Sequence, residues 1–237
     1  METSLAPALR AVCVHGAGGG GWEWTIWARV FAALGWDVAA PDLRPAAAGL
    51  AATGVGDYLD QVGAWVAPTP DLLVGASLGG LLALAVALAQ PPRALVLINP
   101  LPPQGLGTAS SHAAVWPDVV PWGRTRSLAG TRRALPDADA AACLWAWRRW
   151  RDESGRVLRE AASVDAAAPS CPVLVLASRG DVDVPMQSSR SLAQRLDADF
   201  LAVDASHVGP LLGRQAGRIA AQVAVWAEQV LKSRNAG

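Results

Sequence analysis

The stretch Leu72-Leu73-Val74-Gly75-Ala76-Ser77-Leu78-Gly79-Gly80-Leu81 constrains the fold of this chain more than any other. It predicts a short apolar strand, a tight glycine-flanked corner at Ser77, and an alanine- and leucine-rich helix running to about Gln90. Gly75-x-Ser77-x-Gly79 between a strand and a helix is the pattern that lifts a serine hydroxyl above the end of a sheet on strained backbone. The flanking positions must be tiny because strand and helix backbones pass close together there, and glycine has no Cβ to clash. Leu72 to Ala89 carries no charge, and the run approaches the length of a membrane span. Three glycines and a serine interrupt it, while Asp71 and Pro91-Pro92 bracket it, so it reads as a buried strand followed by a buried helix.

The other segments repeat that alternation. Ala8 to His15 reads as a strand entering Gly16-Ala17-Gly18-Gly19-Gly20-Gly21, and a helix follows from about Glu23 to Leu34, stopped by Gly35. Asp37 to Ala40 is a second strand, and a helix from about Asp57 to Val66 ends before Pro68 and Pro70. Ala94 to Ile98 is a further strand, then Val173 to Ala177, a helix from Gln187 to Leu196, a strand from Phe200 to Val203, and a long amphipathic helix from Leu211 to about Lys232. Continuous apolar strands alternating with helices define an α/β fold: a mainly parallel sheet of about six strands, helices on both faces, and the Ala11–His15 strand beside the one that ends at Ser77. From Leu101 to about Pro169 the strands disappear, and five of the eleven tryptophans gather there. The expected organisation is a core of residues 1–100 and 170–237 with an inserted helical cap at 101–169.

At 237 residues the chain suits one such domain with its insertion. Twenty basic and twenty acidic residues cancel, so neither nucleic acid nor an anionic membrane surface is an expected partner. Cys13, Cys143 and Cys171 are odd in number, lack metal-type spacing, and read as reduced buried thiols. No charged-then-apolar leader opens the chain, which leads to the expectation of a cytoplasmic, soluble protein.

Chemistry follows from what a serine needs. Its hydroxyl is a weak nucleophile until a base poised near neutral pH takes its proton, which makes histidine the natural choice. Of three histidines, His15 ends the first strand against the glycine loop and His112 lies in the insertion. His207 follows the last strand, where a parallel sheet opens towards a ligand, and is the candidate base. A histidine in that role needs a carboxylate to fix its tautomer, and the turn after Val173–Ala177 offers Asp181 and Asp183. Asn99, at the end of the preceding strand, cannot supply one. The order Ser, Asp, His, each at a strand end, is the one this corner motif calls for.

Gly16-x-Gly18-x-x-Gly21 with Asp42 beyond the next strand also matches the dinucleotide fingerprint, so a nucleotide-binding alternative stands beside the hydrolytic one. The competing role for the loop is to present backbone N–H groups, chiefly that of Ala17, to an oxyanion beside Ser77, with Leu78 at the helix N-terminus as second donor. A third alternative is a non-catalytic small-molecule binder on the same fold.

The His15-Gly16 opening with Trp22 and Trp24, Pro41-Asp42-Leu43-Arg44, and the serine corner together resemble the α/β-hydrolases, in particular the small methylesterase and hydroxynitrile lyase branch and its bacterial relatives. The resemblance covers almost the whole chain outside 101–169. It implies Ser77 as nucleophile, His207 as base and Asp181 as acid, since relatives place the carboxylate four residues before the proline, here Pro185. It also implies Ala17 and Leu78 as oxyanion donors. Ala76 stands where many members have histidine, and Pro45 where they have a glycine-rich turn. Lyase members rely on a lysine near the site, and Lys232 is the only lysine here, in the last helix, so the resemblance points to hydrolysis.

The expected reaction is cleavage of a carboxylic ester or thioester through an acyl-enzyme, with no metal and no cofactor, on a small-molecule substrate. Gly18, Trp116, Trp122, Trp145 and Trp147 are the candidate pocket residues, and at least one of Trp145, Trp147 and Trp150 should face Ser77 or solvent, since their spacing spreads them over more than one helical face. Nine arginines in 101–169 are shared with seven acidic residues, so most are expected to be paired or solvated. The pocket is therefore expected to be apolar and to prefer uncharged, small-to-medium hydrophobic esters.

Overall fold

The computed structural model describes residues 8–106, 116–165 and 167–235. His112 lies outside the described residues. Six parallel strands form the central sheet: β1 (Leu9–Val14), β2 (Trp36–Ala39), β3 (Leu72–Ala76), β4 (Leu95–Ile98), and, further along, β7 (Val173–Ser178) and β8 (Asp199–Val203), in the order β2-β1-β3-β4-β7-β8. Ala11 pairs with Leu72 and Val14 with Gly75, so β1 does lie beside the serine strand. Side chains alternate between two buried layers, with Ala11, Cys13, Leu72 and Val74 on one and Val12, Val14 and Leu73 on the other. That is why these strands read as unbroken apolar runs.

Helices α1 (Thr25–Ala33) and α9 (Ala216–Asn235) cover the first face through Trp27, Phe31, Ile219, Val223 and Ala227. Helices α2 (Val55–Trp65), α3 (Leu78–Ala89) and α7 (Met186–Leu196) cover the second through Tyr58, Val62, Leu81 and Leu192. A 3₁₀ turn, Gly21–Trp24, precedes α1. The last helical stretch is not continuous. A single-turn helix, α8 (Gly209–Leu212), is separated from α9 because Gly213 N–H closes on Gly209 O and Arg214 N–H is taken by the carbonyl of Asp137.

Between β4 and β7 lie α4 (Leu128–Ala134), α5 (Ala140–Trp147) and α6 (Gly155–Ala161). Strands do not vanish from this segment: β5 (Val119–Val120) and β6 (Glu153–Ser154) form a two-residue antiparallel ribbon. Each is too short to leave a periodic signature in sequence. Leu135, Cys143 and Ala146 join the first core layer, and Val157 and Ala161 the second, so the segment is packed into both. All three cysteines are buried and free. Among the described residues no helix is long and apolar enough to cross a membrane.

The close approach predicted at the corner is there. A Cβ on Gly75 would lie 2.2 Å from the carbonyl oxygen of Gly79, and one on Gly79 would lie 2.3 Å from Val14 O and 2.4 Å from His15 O. These neighbours are backbone atoms of α3 and of the end of β1, and they cannot step aside cheaply. Gly79→Ala is expected to lower the unfolding free energy by about 3 kcal/mol or more. Denaturant titration measures this, and a cost below about 1 kcal/mol would show that β1 and α3 can separate.

Candidate active site

Ser77 sits at φ 54°, ψ −120°, a conformation that costs a non-glycine residue about 1–3 kcal/mol and needs the surroundings to hold it. Four backbone hydrogen bonds do so, one of them from Leu81 N–H to Ser77 O at 3.3 Å. Ser77 N–H donates to Ile98 O at 2.9 Å, and Ser77 O accepts from Gly80 N–H and Leu101 N–H, both at 3.0 Å. The end of β4, the segment just beyond it and the first turn of α3 thus hold the corner that carries the hydroxyl.

That hydroxyl lies 2.9 Å from His207 Nε2, and His207 Nδ1 lies 2.7 Å from Asp181 Oδ2. The carboxylate can only accept, so Nδ1 carries the proton and Nε2 is left to accept from Ser77. Asp181 has a fully buried side chain, and its second oxygen accepts from the N–H groups of Asp183 and Val184, each at 2.8 Å. Asp183 is exposed and does not bond to the ring. Geometry therefore separates the two candidate acids in favour of Asp181. Burial alone would lower the His207 pKa, but the hydrogen bond and charge of Asp181 outweigh it, with further help from Asp183 and Glu23, and the pKa is raised above that of free imidazole.

Asn99 belongs to this arrangement although its lack of a carboxylate removed it from consideration as the acid. At φ 43°, it donates through Nδ2 to Ser178 Oγ at 2.9 Å and to the His207 carbonyl at 2.7 Å, and accepts from Ser178 N–H at 2.7 Å. It ties the ends of β4 and β7 to the loop that carries the histidine. An asparagine at a strand end, tolerant of the left-handed region, was the available signal. Asp137 performs a similar service from the α4–α5 connection, accepting from Ser206 N–H at 2.8 Å and Ser206 Oγ at 2.7 Å.

The glycine loop has most of its donors already committed. Gly18 N–H donates to Glu153 Oε2 at 2.9 Å, Gly20 N–H to Glu23 Oε2 at 3.3 Å, and Gly21 N–H to Asp42 Oδ1 at 2.7 Å. A pyrophosphate laid on this loop would meet three carboxyl groups, which disfavours the nucleotide alternative. Neither Ala17 N–H nor Leu78 N–H donates to a protein acceptor among the described residues. Gly16 sits against the serine, where an added Cβ would come 3.1 Å from Ser77 Cβ. Gly18 (φ 68°) is further held by Arg151 N–H on its carbonyl at 2.8 Å. Arg151, Glu153 and Tyr58, whose hydroxyl donates to Glu153 at 2.9 Å, carry no motif and were not legible as site residues. His15 is structural: Nδ1–H donates to Gly16 O at 2.8 Å, Nε2 accepts from Leu43 N–H at 2.9 Å, and burial lowers its pKa to about 4.

A cavity of about 720 Å³ opens over Ser77 and His207. Gly18, Trp116 and Trp122 line it as expected, and Trp150 joins them; Leu101, Pro102, Leu158, Ala161 and Ala162 make the rest of an apolar wall. Two expected residues do not line it. Trp145 packs edge-on against Trp22 at 5.1 Å with the Arg149 guanidinium 4.2 Å above it, and Trp147 turns its Nε1 into a buried position without a partner. The helix α5 ends at Trp147, and the turn beyond it, in which Arg149 and Trp150 N–H both return to Ala146 O, brings Trp150 round to the cavity instead. Asp181, Asp183 and His207 place potential ligand atoms within 4.8 Å of one another, the one such group among the described residues. Asp181 already gives one oxygen to His207 and the other to two N–H groups, so the acceptors of the central member of this cluster are in use.

A parallel sheet with a serine, a histidine and an aspartate in hydrogen-bonded succession at its carboxyl edge is the arrangement of the α/β-hydrolase fold. The α/β hydrolase family profile matches residues 11–222, and the chain belongs to that family. In fold it is similar to tomato methylketone synthase I complexed with 2-tridecanone, with a TM-score of 0.74 at 17% identity over 94% of this chain and 99% of that one. It is similar also to the methylesterase MES16 from Arabidopsis (TM-score 0.70, 14% identity, 92% and 99% covered) and a pyrethroid hydrolase from Sphingobium faniae JZ-2 (0.71, 20%, 93% and 97%). At these identities the likeness is one of fold, and it agrees with the family match. No curated protein sequence matches the chain.

Glu23 gives this site a measurable pH signature. Complete burial raises its pKa to about 8, against the weaker opposing pull of the Gly20 N–H. A carboxyl that holds its proton longer in the folded than in the unfolded chain stabilises the fold fully only below its unfolded pKa, and that contribution is lost as pH rises towards 8. Glu23→Gln is therefore expected to raise Tm by several degrees at pH 8 and little at pH 5, read by differential scanning calorimetry. An equal shift at both pH values would mean that Glu23 does not titrate in this interval.

Proposed function

We propose that the protein hydrolyses a carboxylic ester or thioester of a small molecule with a hydrophobic body, through an acyl-enzyme on Ser77 and without a metal or cofactor. The observation that carries the reading is the chain Asp181 Oδ2, His207 and Ser77 Oγ, with contacts of 2.7 and 2.9 Å, at the floor of a largely apolar cavity. Ser77 Oγ attacks the carbonyl carbon as His207 Nε2 takes its proton, and Asp181 stabilises the imidazolium that forms. The tetrahedral oxyanion is received by the N–H groups of Ala17 and Leu78, which have no protein acceptor to leave. His207 returns the proton to the departing alcohol or thiol, and water, activated by the same ring, then cleaves the acyl group from Ser77. Residues 101–169 act as the cap that closes this site and supplies its tryptophan wall. Uncommitted donors beside a poised serine support turnover over simple binding, since a binder gains nothing from an activated nucleophile.

A fluorophosphonate probe is expected to label the native protein stoichiometrically and to leave Ser77→Ala unlabelled, as intact-mass spectrometry would read. Absence of label on the native protein would sink the hydrolase reading.

Asp181→Asn is expected to reduce kcat/KM by on the order of a hundredfold or more, because the amide favours the wrong histidine tautomer. Asp183→Asn, which bears on His207 only through its charge, should cost less than about fivefold. The reverse order in ester-hydrolysis assays would move the acid role to Asp183.

A further inference from the structure

The nine arginines of residues 101–169 do not behave alike. Four have a carboxylate: Arg124 with Asp152, Arg151 with Asp42, Arg156 with Glu160 and Arg159 with Asp118. Three others, Arg132, Arg148 and Arg149, do not line the cavity. Arg126 and Arg133 do line it, and neither has a carboxylate partner among the described residues. The undescribed stretch 107–115 contains no acidic residue to supply one. Arg126 uses one N–H on the carbonyl of Gly123, and Arg133 folds its Nη2 to within 3.8 Å of the point where a Cβ on Gly130 would stand. Both therefore present unspent donors on the wall formed by α4 and the turn before it.

The expectation of an uncharged substrate rested on most of the arginines being paired or solvated; Arg126 and Arg133 are exposed and without a carboxylate partner, but they stand on the cavity lining, where a substrate can meet them. Among the described residues the one acidic side chain lining the cavity is Asp183, near His207, and no ion pair joins it to either arginine. The cavity is thus polarised, negative beside His207, positive along α4, and apolar between. A planar guanidinium is suited to a carboxylate, which it can grip through two parallel hydrogen bonds.

We propose that Arg126 and Arg133 form a subsite for a carboxylate carried by the substrate at its end remote from the scissile bond, so that the preferred substrate is the half-ester of an aliphatic dicarboxylic acid. This rests on the ester-hydrolase reading of Ser77 and adds a substrate class to it. The apolar wall holds the methylene chain, the ester carbonyl lies at Ser77, and the free carboxylate faces the two arginines. Asp183 disfavours the reverse placement, with the carboxylate beside His207.

The test compares kcat/KM for the monomethyl esters of succinic, glutaric, adipic and suberic acids with that for uncharged methyl esters of matched length. At the best length the half-ester should be favoured by about tenfold or more. The double substitution Arg126→Gln, Arg133→Gln should remove that preference, while Arg132→Gln, outside the cavity, should leave the ratio where it was. Uncharged esters preferred at every length, or a preference that survives the double substitution, would overturn the proposal. Calorimetric titration of monomethyl adipate into Ser77→Ala separates the two readings. Arginine-dependent binding without turnover by the native protein would keep the anion subsite and reject the hydrolase. Turnover of uncharged esters without half-ester binding would do the opposite.

Discussion

Everything at this site depends on how closely the β3–α3 corner is pressed against the end of β1. With hydrogen in place of a side chain at Gly75 and Gly79, α3 starts almost in contact with the carbonyls of Val14 and His15. That proximity brings the glycine loop to Ser77, where a Cβ on Gly16 would lie 3.1 Å from the serine Cβ. The strain in the Ser77 backbone is held by hydrogen bonds reaching to Ile98 at the end of β4 and to Leu101 beyond it, so the neighbouring strand is as much a part of the serine's geometry as its own.

A second constraint is electrostatic. A loop with five glycines in six positions exposes many backbone donors, and left alone it would bind almost any anion. Here Glu23, Asp42 and Glu153 occupy three of those donors. Glu153 comes from β6, so the segment between β4 and β7 does more than roof a cavity. Through Glu153 and Arg151 it grips Gly18, and through Asp137 it grips Ser206, next to His207. The glycine loop beside Ser77 and the loop that carries His207 are both anchored to this segment. Displacing it would disturb them together, which argues against a freely opening lid.

Much of this was legible in the residues, and the failures are instructive. The serine corner, the strand order around it and His207 could be read because each depends on local pattern: an apolar run, a glycine at fixed offset, a polar residue just past a strand. Trp145 and Trp147 were misplaced because helical spacing shows only that neighbouring tryptophans diverge. Where α5 stops decides which of them turns back towards the cavity. Asn99 was set aside for lacking a charge, whereas its role is to bridge three backbone and side-chain groups that only the sheet brings together.

The sequence by itself determined the layered α/β architecture, the strand-end positions of Ser77 and His207, and the two carboxylates, Asp181 and Asp183, that one turn offers to the histidine, because these follow from periodicity, chain order and residue chemistry. Tertiary structure alone decided that Asp181 and not Asp183 meets the imidazole, that three carboxyl groups close the glycine loop to phosphate, and that two arginines out of nine face the cavity unpaired. The physical reason is common to all three. Each depends on distances between residues far apart in the chain, where a change of a few ångströms turns a hydrogen bond or ion pair into no contact at all.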